Sequence, residues 1–385
     1  MHNLGSTLKW SSCRLVRNGQ VETLTADARK RLDAVQAFRV LAAMLVVTGH
    51  AIYEARAYDA TGTLAHIANW PVWSAGVDLF FVLSGYIMMW TFGERFAEPH
   101  APREFLARRL VRILPPYWAF TLLLAVAIVL VPGRIETARL DTGHLALSLL
   151  LIPHVAPTGG IHPLLALGWT LMYEMFFYLA FAVALLFPRR IGLALLVVAF
   201  TVSNLAARSG VPMPDALALM WGDTVIFEFL LGIAFYFIQR DGGLATGRMI
   251  AVVAALLAAT SAARLMPHVE SRFLLYGLPA LAILALASWA VPLRRSALVG
   301  LFVLVGDASY TLYLSHPFVL EPVKELAEIA GGSWFGIALY LVAAVTCAIA
   351  FALIFYRLIE RRLSQRLGQA MGIRPRSPFA GPMTP

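Results

Sequence analysis

An all-α, polytopic membrane helical bundle is predicted by three features of this sequence. It contains ten apolar runs of membrane-spanning length, few charged residues, and an uneven distribution of arginine between alternate loops. The runs fall near 34–53, 71–92, 112–131, 164–187, 191–206, 222–239, 249–265, 272–291, 298–320 and 333–356. A bilayer core about 30 Å thick takes about 20 residues of helix to cross. Of the 385 residues, 59% are hydrophobic and 14% charged, and the mean hydropathy is +0.73; a soluble domain carries about 25% charged residues. In a soluble chain the net charge of +9 would raise nucleic acid as a partner. Here membrane topology accounts for the excess arginine, and no nucleic-acid partner is expected.

The loops set the orientation. With the N-terminus inside, the cytoplasmic segments hold 23 Lys and Arg residues and the outer loops 7, an N-in, C-in arrangement under the positive-inside rule. The run LALSLLLIPHV (145–155), closely followed by PTGG, is too short to cross and reads as re-entrant or interfacial. Counting it as a span would move Arg189–Arg190 and Arg294–Arg295 outside. The organisation predicted is a cytoplasmic extension over 1–32, expected to be disordered, a membrane domain over 33–356 and a basic cytoplasmic tail over 357–385. The first apolar run starts too late and is too long for a cleavable signal. Cys13 and Cys347 support neither a disulfide framework nor a cysteine metal site.

Ionisable groups inside spans are costly and mark functional sites. The first span, DAVQAFRVLAAMLVVTGHAIY, carries Arg39 and His50. Eleven residues at about 100° each place them on one helix face, about 16 Å apart along the axis. Arg39 is equally compatible with snorkelling to the membrane edge, and His50 with a wet headgroup zone. The second span holds Asp78 in GVDLFFVLSGY, suited either to orienting a histidine on a neighbouring helix or to a helix-packing hydrogen bond. At the entrance to the third, REFLARRLVRILPPYW places Arg109 and Arg112 on one face, flanked by Arg108. Such a cluster suits phosphate oxygens, or equally anionic lipid, and Pro115–Pro116 then bends or starts the helix. Glu174, in LGWTLMYEMFFYL, lies near the midplane of the fourth span, and Glu228 (IFEFLLG) is a weaker candidate. In the ninth, GDASYTLYLSHP brings His316 to a depth like that of His50, to meet an acceptor or to cap the helix before Pro317. His66, His144, His154 and His162 fall in outer loops without HExxH-type spacing, and no metal is expected.

Taken in order, Arg39-x10-His50, GVDLFFVLSGY, Arg109-x-x-Arg112 before LPPYW, and GDASYTLYLSHP resemble the acyltransferase-3 family of bacterial integral membrane O-acyltransferases, over about residues 33–360. Where the family often has WSLSVEEQFYL this chain has WTLMYEMFFYL, so Glu174 matches the first acidic position and Met175 replaces the second. The segment LGWTLMYEMFFYL resembles the exopolysaccharide (succinoglycan-type) acetyltransferase branch. The resemblance implies a multi-pass protein of the bacterial inner membrane that transfers an acyl group, usually acetyl from acetyl-CoA, to a hydroxyl of an exopolysaccharide or other cell-envelope glycan. It also implies a lipid-linked glycan as a possible acceptor, and polysaccharide synthesis or export machinery as a possible partner.

On this reading Arg39, Arg109 and Arg112 hold the acyl-CoA donor, with Arg108 beside them. His50 acts as general base or as nucleophile, Asp78 or Glu174 holds its tautomer, and His316 and Tyr310 face the acceptor. The alternative class is a transporter or flippase for a glycan or lipid-linked precursor, with the same groups lining a path. No inverted repeat supports it.

Overall fold

The computed structural model describes residues 14–17, 20–23, 26–59, 62–70, 72–131, 138–240, 246–266, 271–290, 297–325 and 333–373, with side chains from Ala34 onward except 289–299. A short antiparallel hairpin, β1 (Arg14–Arg17) and β2 (Gln20–Thr23), precedes the bundle. Residues 1–13 of the extension expected to be disordered lie outside the described residues, and the first helix begins at Ala26. The bundle itself is helical: α1 (Ala26–Ala55), α2 (Thr63–Ala68), α3 (Ala75–Phe92), α4 (Ala101–Leu130), α5 (Thr142–Leu149), α6 (Trp169–Ala184), α7 (Arg189–Arg208), α8 (Asp215–Gly222), α9 (Glu228–Arg240), α10 (Thr246–Leu265), α11 (Leu278–Ala290), α12 (Ala297–Asp307), α13 (Ser309–Val323), α14 (Trp334–Phe355) and α15 (Arg361–Ala370).

Among the described residues, seven helices are long and apolar enough to cross a membrane singly, and α8 with α9 makes an eighth as a pair bent by 51°. The other two predicted spans are helical but interrupted. The run at 272–291 begins as a π-helical turn, Phe273–Gly277, before α11, and the run at 298–320 is divided between α12 and α13 at Ala308. The short run 145–155 is helical only as far as Leu149, in α5.

The core centres on α3. Of its apolar stretch 83% is buried, against 22% for α7 and for α10, which lie at the periphery. Without a hydrophobic force between helices in lipid, small residues decide where helices meet. A Cβ added at Gly85 would run into the carbonyl of Phe229 on α9, and one at Gly232 into that of Val82 on α3. A Cβ on Gly76 would sit 2.5 Å from the carbonyl oxygen of Ala42 on α1. Around this crossing Phe81, Phe177 and Phe229 are fully buried, with Phe177 stacked on Phe229 at 4.2 Å between centroids.

Helix α4 runs straight through Pro115–Pro116, so the prolines neither start it nor end it. Pro115 has no N–H for the carbonyl of Val111, which instead accepts a hydrogen bond from Ser364 Oγ of α15 at 3.3 Å. Downstream, the Tyr117 hydroxyl and Trp118 indole donate to the carbonyls of Ser148 and Leu149, both at 2.8 Å, and hold the end of α5. Helix α1 and the α12–α13 segment run in the same direction. They are tied at Gln36–Asp307 (2.7 Å) and again, further along both, at His50–His316 (2.7 Å).

Replacing Gly85 or Gly232 by valine is expected to cost more than the about 1–3 kcal/mol of ordinary overpacking, because the obstruction is backbone. Gly247→Ala, which meets open space, is expected to leave stability unchanged. Thermal melts of the detergent-extracted chain, read by fluorescence-detected size exclusion, test both.

Candidate active site

Five of the residues singled out in the sequence meet at one cavity of about 90 Å³ in the bundle interior: Arg39 from α1, Arg109 and Arg112 from α4, Glu174 from α6 and Tyr310 from α13. Ser84, Thr170, Tyr178, Ser309 and Tyr313 complete its polar lining, and Phe80, Ile87 and Met88 are among its apolar walls. Arg39 and Arg109 are 5% and 8% exposed, so neither reaches bulk water in the way a snorkelling side chain does.

Three guanidinium groups therefore share one small buried space. Among the described residues none of them has a carboxylate within ion-pair distance. Arg39 Nη1 donates weakly to Gln36 Oε1 at 3.5 Å, and Gln36 itself donates to Asp307. Arg109 Nη2 donates to Thr91 Oγ1 at 3.4 Å, its charge lies over the rings of Phe105 and Tyr178 at 5.6 and 5.8 Å, and its Nε finds no acceptor. Glu174 is the carboxylate lining the cavity, and it accepts from Ser84 Oγ at 3.4 Å. Buried cations short of acceptors form a binding site for an anion with several oxygens. Arg108 does not share in it: its guanidinium forms an ion pair with Glu104 at 2.6 Å, part of a chain through Arg95 to Glu98.

His50 lies elsewhere, exposed near the far end of α1. Its Nδ1 is 2.7 Å from Nε2 of the fully buried His316, and the two rings stack at 4.9 Å with 16° between their planes. His316 is thus not a helix cap, since α13 continues past Pro317 to Val323. Tyr313, one turn before His316, lines the arginine cavity and lies 6.3 Å from the His316 ring, so it forms the wall between the two places. Tyr310 faces the arginines rather than the histidines, and its hydroxyl donates to the carbonyl of Ile113 at 2.9 Å.

Neither carboxylate expected to hold His50 is at its side. Glu174 lines the cavity, and Asp78, fully buried, takes a bidentate ion pair from Arg272 at 2.8 and 2.9 Å. Glu228 is fully buried with neither carboxyl oxygen hydrogen-bonded, and Arg272 spreads over the rings of Trp169 and Tyr276. Arg272 was invisible as a partner because it reads as the last residue of an outer loop. An unpaired buried Asp on α3 was the signal that a cation had to exist. In the outer segments, His144 Nδ1 and His154 Nε2 are 2.6 Å apart. Burial and the neighbouring His154 and His162 hold His144 below the usual histidine range. Among the described residues no group of three or more His, Cys, Asp or Glu is placed to hold a metal ion.

Arg272→Met would strand Asp78. A loss of about 3 kcal/mol is expected, at the low end for breaking a buried pair because Arg272 is partly exposed. Adding Asp78→Asn should recover part of that loss, read as the difference in melting temperature between single and double variants.

The comparisons with known proteins agree with this geometry. The model of the acyltransferase domain matches residues 32–357. The chain is 32% identical over 294 residues, 71% of its length and 89% of the relative's, to the exopolysaccharide production protein ExoZ of Rhizobium meliloti (strain 1021). It is 26% identical over 317 residues, 76% of its length and 79% of the relative's, to the acyltransferase MdmB of Streptomyces mycarofaciens. No solved structure matches. The matched domain spans nearly the whole helical bundle and both polar sites, so the chain belongs to the acyltransferase-3 family and is a membrane enzyme that transfers acyl groups.

Proposed function

We propose that the chain moves an acetyl group from acetyl-CoA to a hydroxyl of an exopolysaccharide or other envelope glycan, from a bacterial inner membrane it crosses ten times with both termini in the cytoplasm. The observation that carries the donor side is the cavity of Arg39, Arg109 and Arg112, three cations without ion-pair partners among the described residues. In this orientation Arg109 and Arg112 lie toward the cytoplasmic end of α4, the side where acyl-CoA is found, and the CoA phosphates take the guanidinium donors. The name of ExoZ supports a polysaccharide acceptor.

His50 stands toward the outer end, where a glycan would arrive. Its imidazole takes the proton of the acceptor hydroxyl as that oxygen attacks the thioester carbonyl. The C–S bond breaks, CoA leaves as thiolate, and the imidazolium returns the proton to it. Tyr313 is the group between the phosphate-binding cavity and this step. The 11 residues from Arg39 to His50 correspond to about 16 Å of helix, comparable to an extended pantetheine arm.

Proton NMR of exported polysaccharide tests the reading, comparing a strain lacking the chain with the same strain carrying wild type or His50→Ala. Loss of O-acetyl on deletion, return with wild type and no return with a stably inserted His50→Ala is expected. Unchanged O-acetyl in all three would overturn it. Arg109→Ala together with Arg112→Ala should raise the KM for acetyl-CoA by roughly 10²- to 10⁴-fold, about 1.5–3 kcal/mol for each of the two charged hydrogen bonds lost, as measured in washed membranes. An unchanged KM would return the pair to a lipid-contact role.

A further inference from the structure

We infer that His316 is a positioning residue that fixes the tautomer of His50, so that Nδ1 of His50 carries the proton and Nε2 is left as the basic nitrogen. The inference rests on the reading of His50 as the group that meets the acyl donor, but its evidence is the hydrogen-bond chain itself.

A carbonyl oxygen can only accept. His316 Nδ1 lies 3.3 Å from the carbonyl oxygen of Leu312, so Nδ1 of His316 must carry hydrogen. In a neutral ring its Nε2 is then a lone-pair acceptor. That Nε2 is 2.7 Å from His50 Nδ1, and a bond at that distance needs one hydrogen, which only His50 can supply. His50 is therefore protonated at Nδ1, and its Nε2 carries a lone pair. His316 is fully enclosed and has no carboxylate beside it among the described residues, so nothing there would offset a charged ring.

The sequence explains why the Tyr313 carbonyl is available. In a regular helix it would accept from the backbone N–H four residues on, which is Pro317 and has none. The proline thus leaves the Tyr313 carbonyl without its helical donor one turn before the His316 ring. The arrangement matches the carboxylate–histidine pairing of hydrolase triads in logic, with a neutral imidazole anchored on backbone in place of the carboxylate. A neutral partner orients the base without supplying a counter-charge.

Two measurements on the full-length chain in lipid test this. In ¹⁵N solid-state NMR of histidine-labelled protein, with His50 assigned by its loss in His50→Ala, wild type is expected to show a protonated Nδ1 and an unprotonated Nε2. His316→Leu should release His50 into a mixture of both tautomers. A wild-type His50 protonated at Nε2 would overturn the inference whatever the protein's activity. In washed membranes, with labelled acetyl-CoA and host polysaccharide stripped of O-acetyl by mild alkali, His316→Leu should lower kcat on the order of 10²-fold. The KM for acetyl-CoA should not change. His316→Gln, whose amide oxygen can accept from His50 Nδ1, should recover to within about tenfold of wild type. Equal kcat in wild type and His316→Leu would overturn the positioning role. A wild type with the expected tautomer but no acetyl transfer would instead count against the proposed function alone.

Discussion

Removing a guanidinium from water is expensive, and most of what is specific to this bundle follows from having done it several times. Arg39 and Arg109 are buried, Arg112 joins them, and their direct partners are a glutamine, a threonine and two aromatic faces, with Glu174 in the same cavity but not within ion-pair distance. A protein selected only for stability would replace such groups or pair them with carboxylates, because an uncompensated buried charge costs several kcal/mol. Asp78 and Arg272 show what a pairing looks like in the same molecule: two short, parallel hydrogen bonds that consume both partners. The contrast separates a structural ion pair from a binding site more sharply than any single residue does.

The polar groups fall into three places rather than one. The arginines and Glu174 surround the cavity, the two histidines meet further along α1 and α13, and Asp78 and Arg272 hold α3 and the turn before α11 together, with Glu228 of α9 buried. Helix α13 contributes to the first two, with Tyr310 and Tyr313 at the cavity and His316 beyond it. The cavity wall and the histidine pair are therefore carried on one 15-residue helix, and neither can shift far without the other.

The positions of the helices were legible in the sequence, because apolar runs of this length have few alternatives. The inward aim of Glu174 was legible too, since the cost of charge in lipid leaves a helix few orientations, whereas for Arg39, Arg109 and Arg112 the sequence left snorkelling or lipid contact equally open. The matched depth of His50 and His316 also followed from the boundaries of their spans. What one sequence could not supply was lateral order. His50 and His316 are 266 residues apart and Asp78 and Arg272 are 194 apart, and nothing in either local segment says which helices are neighbours. Asp78 was assigned to His50 for that reason, while its true partner was counted among the loop arginines. Pro115–Pro116 looked like a helix boundary because the sequence does not show that Ser364 waits for the freed carbonyl.

Proline in a helix is usually discussed as a bend or a break. Pro317 does neither, since α13 continues for another turn and a half beyond it. What it changes is the count of donors: the Tyr313 carbonyl loses the N–H it would meet in a regular helix, while the imidazole just before the proline spends its own Nδ1 on the Leu312 carbonyl. A main-chain oxygen thereby decides where a buried ring keeps its proton, and through that ring where its partner on α1 keeps its own.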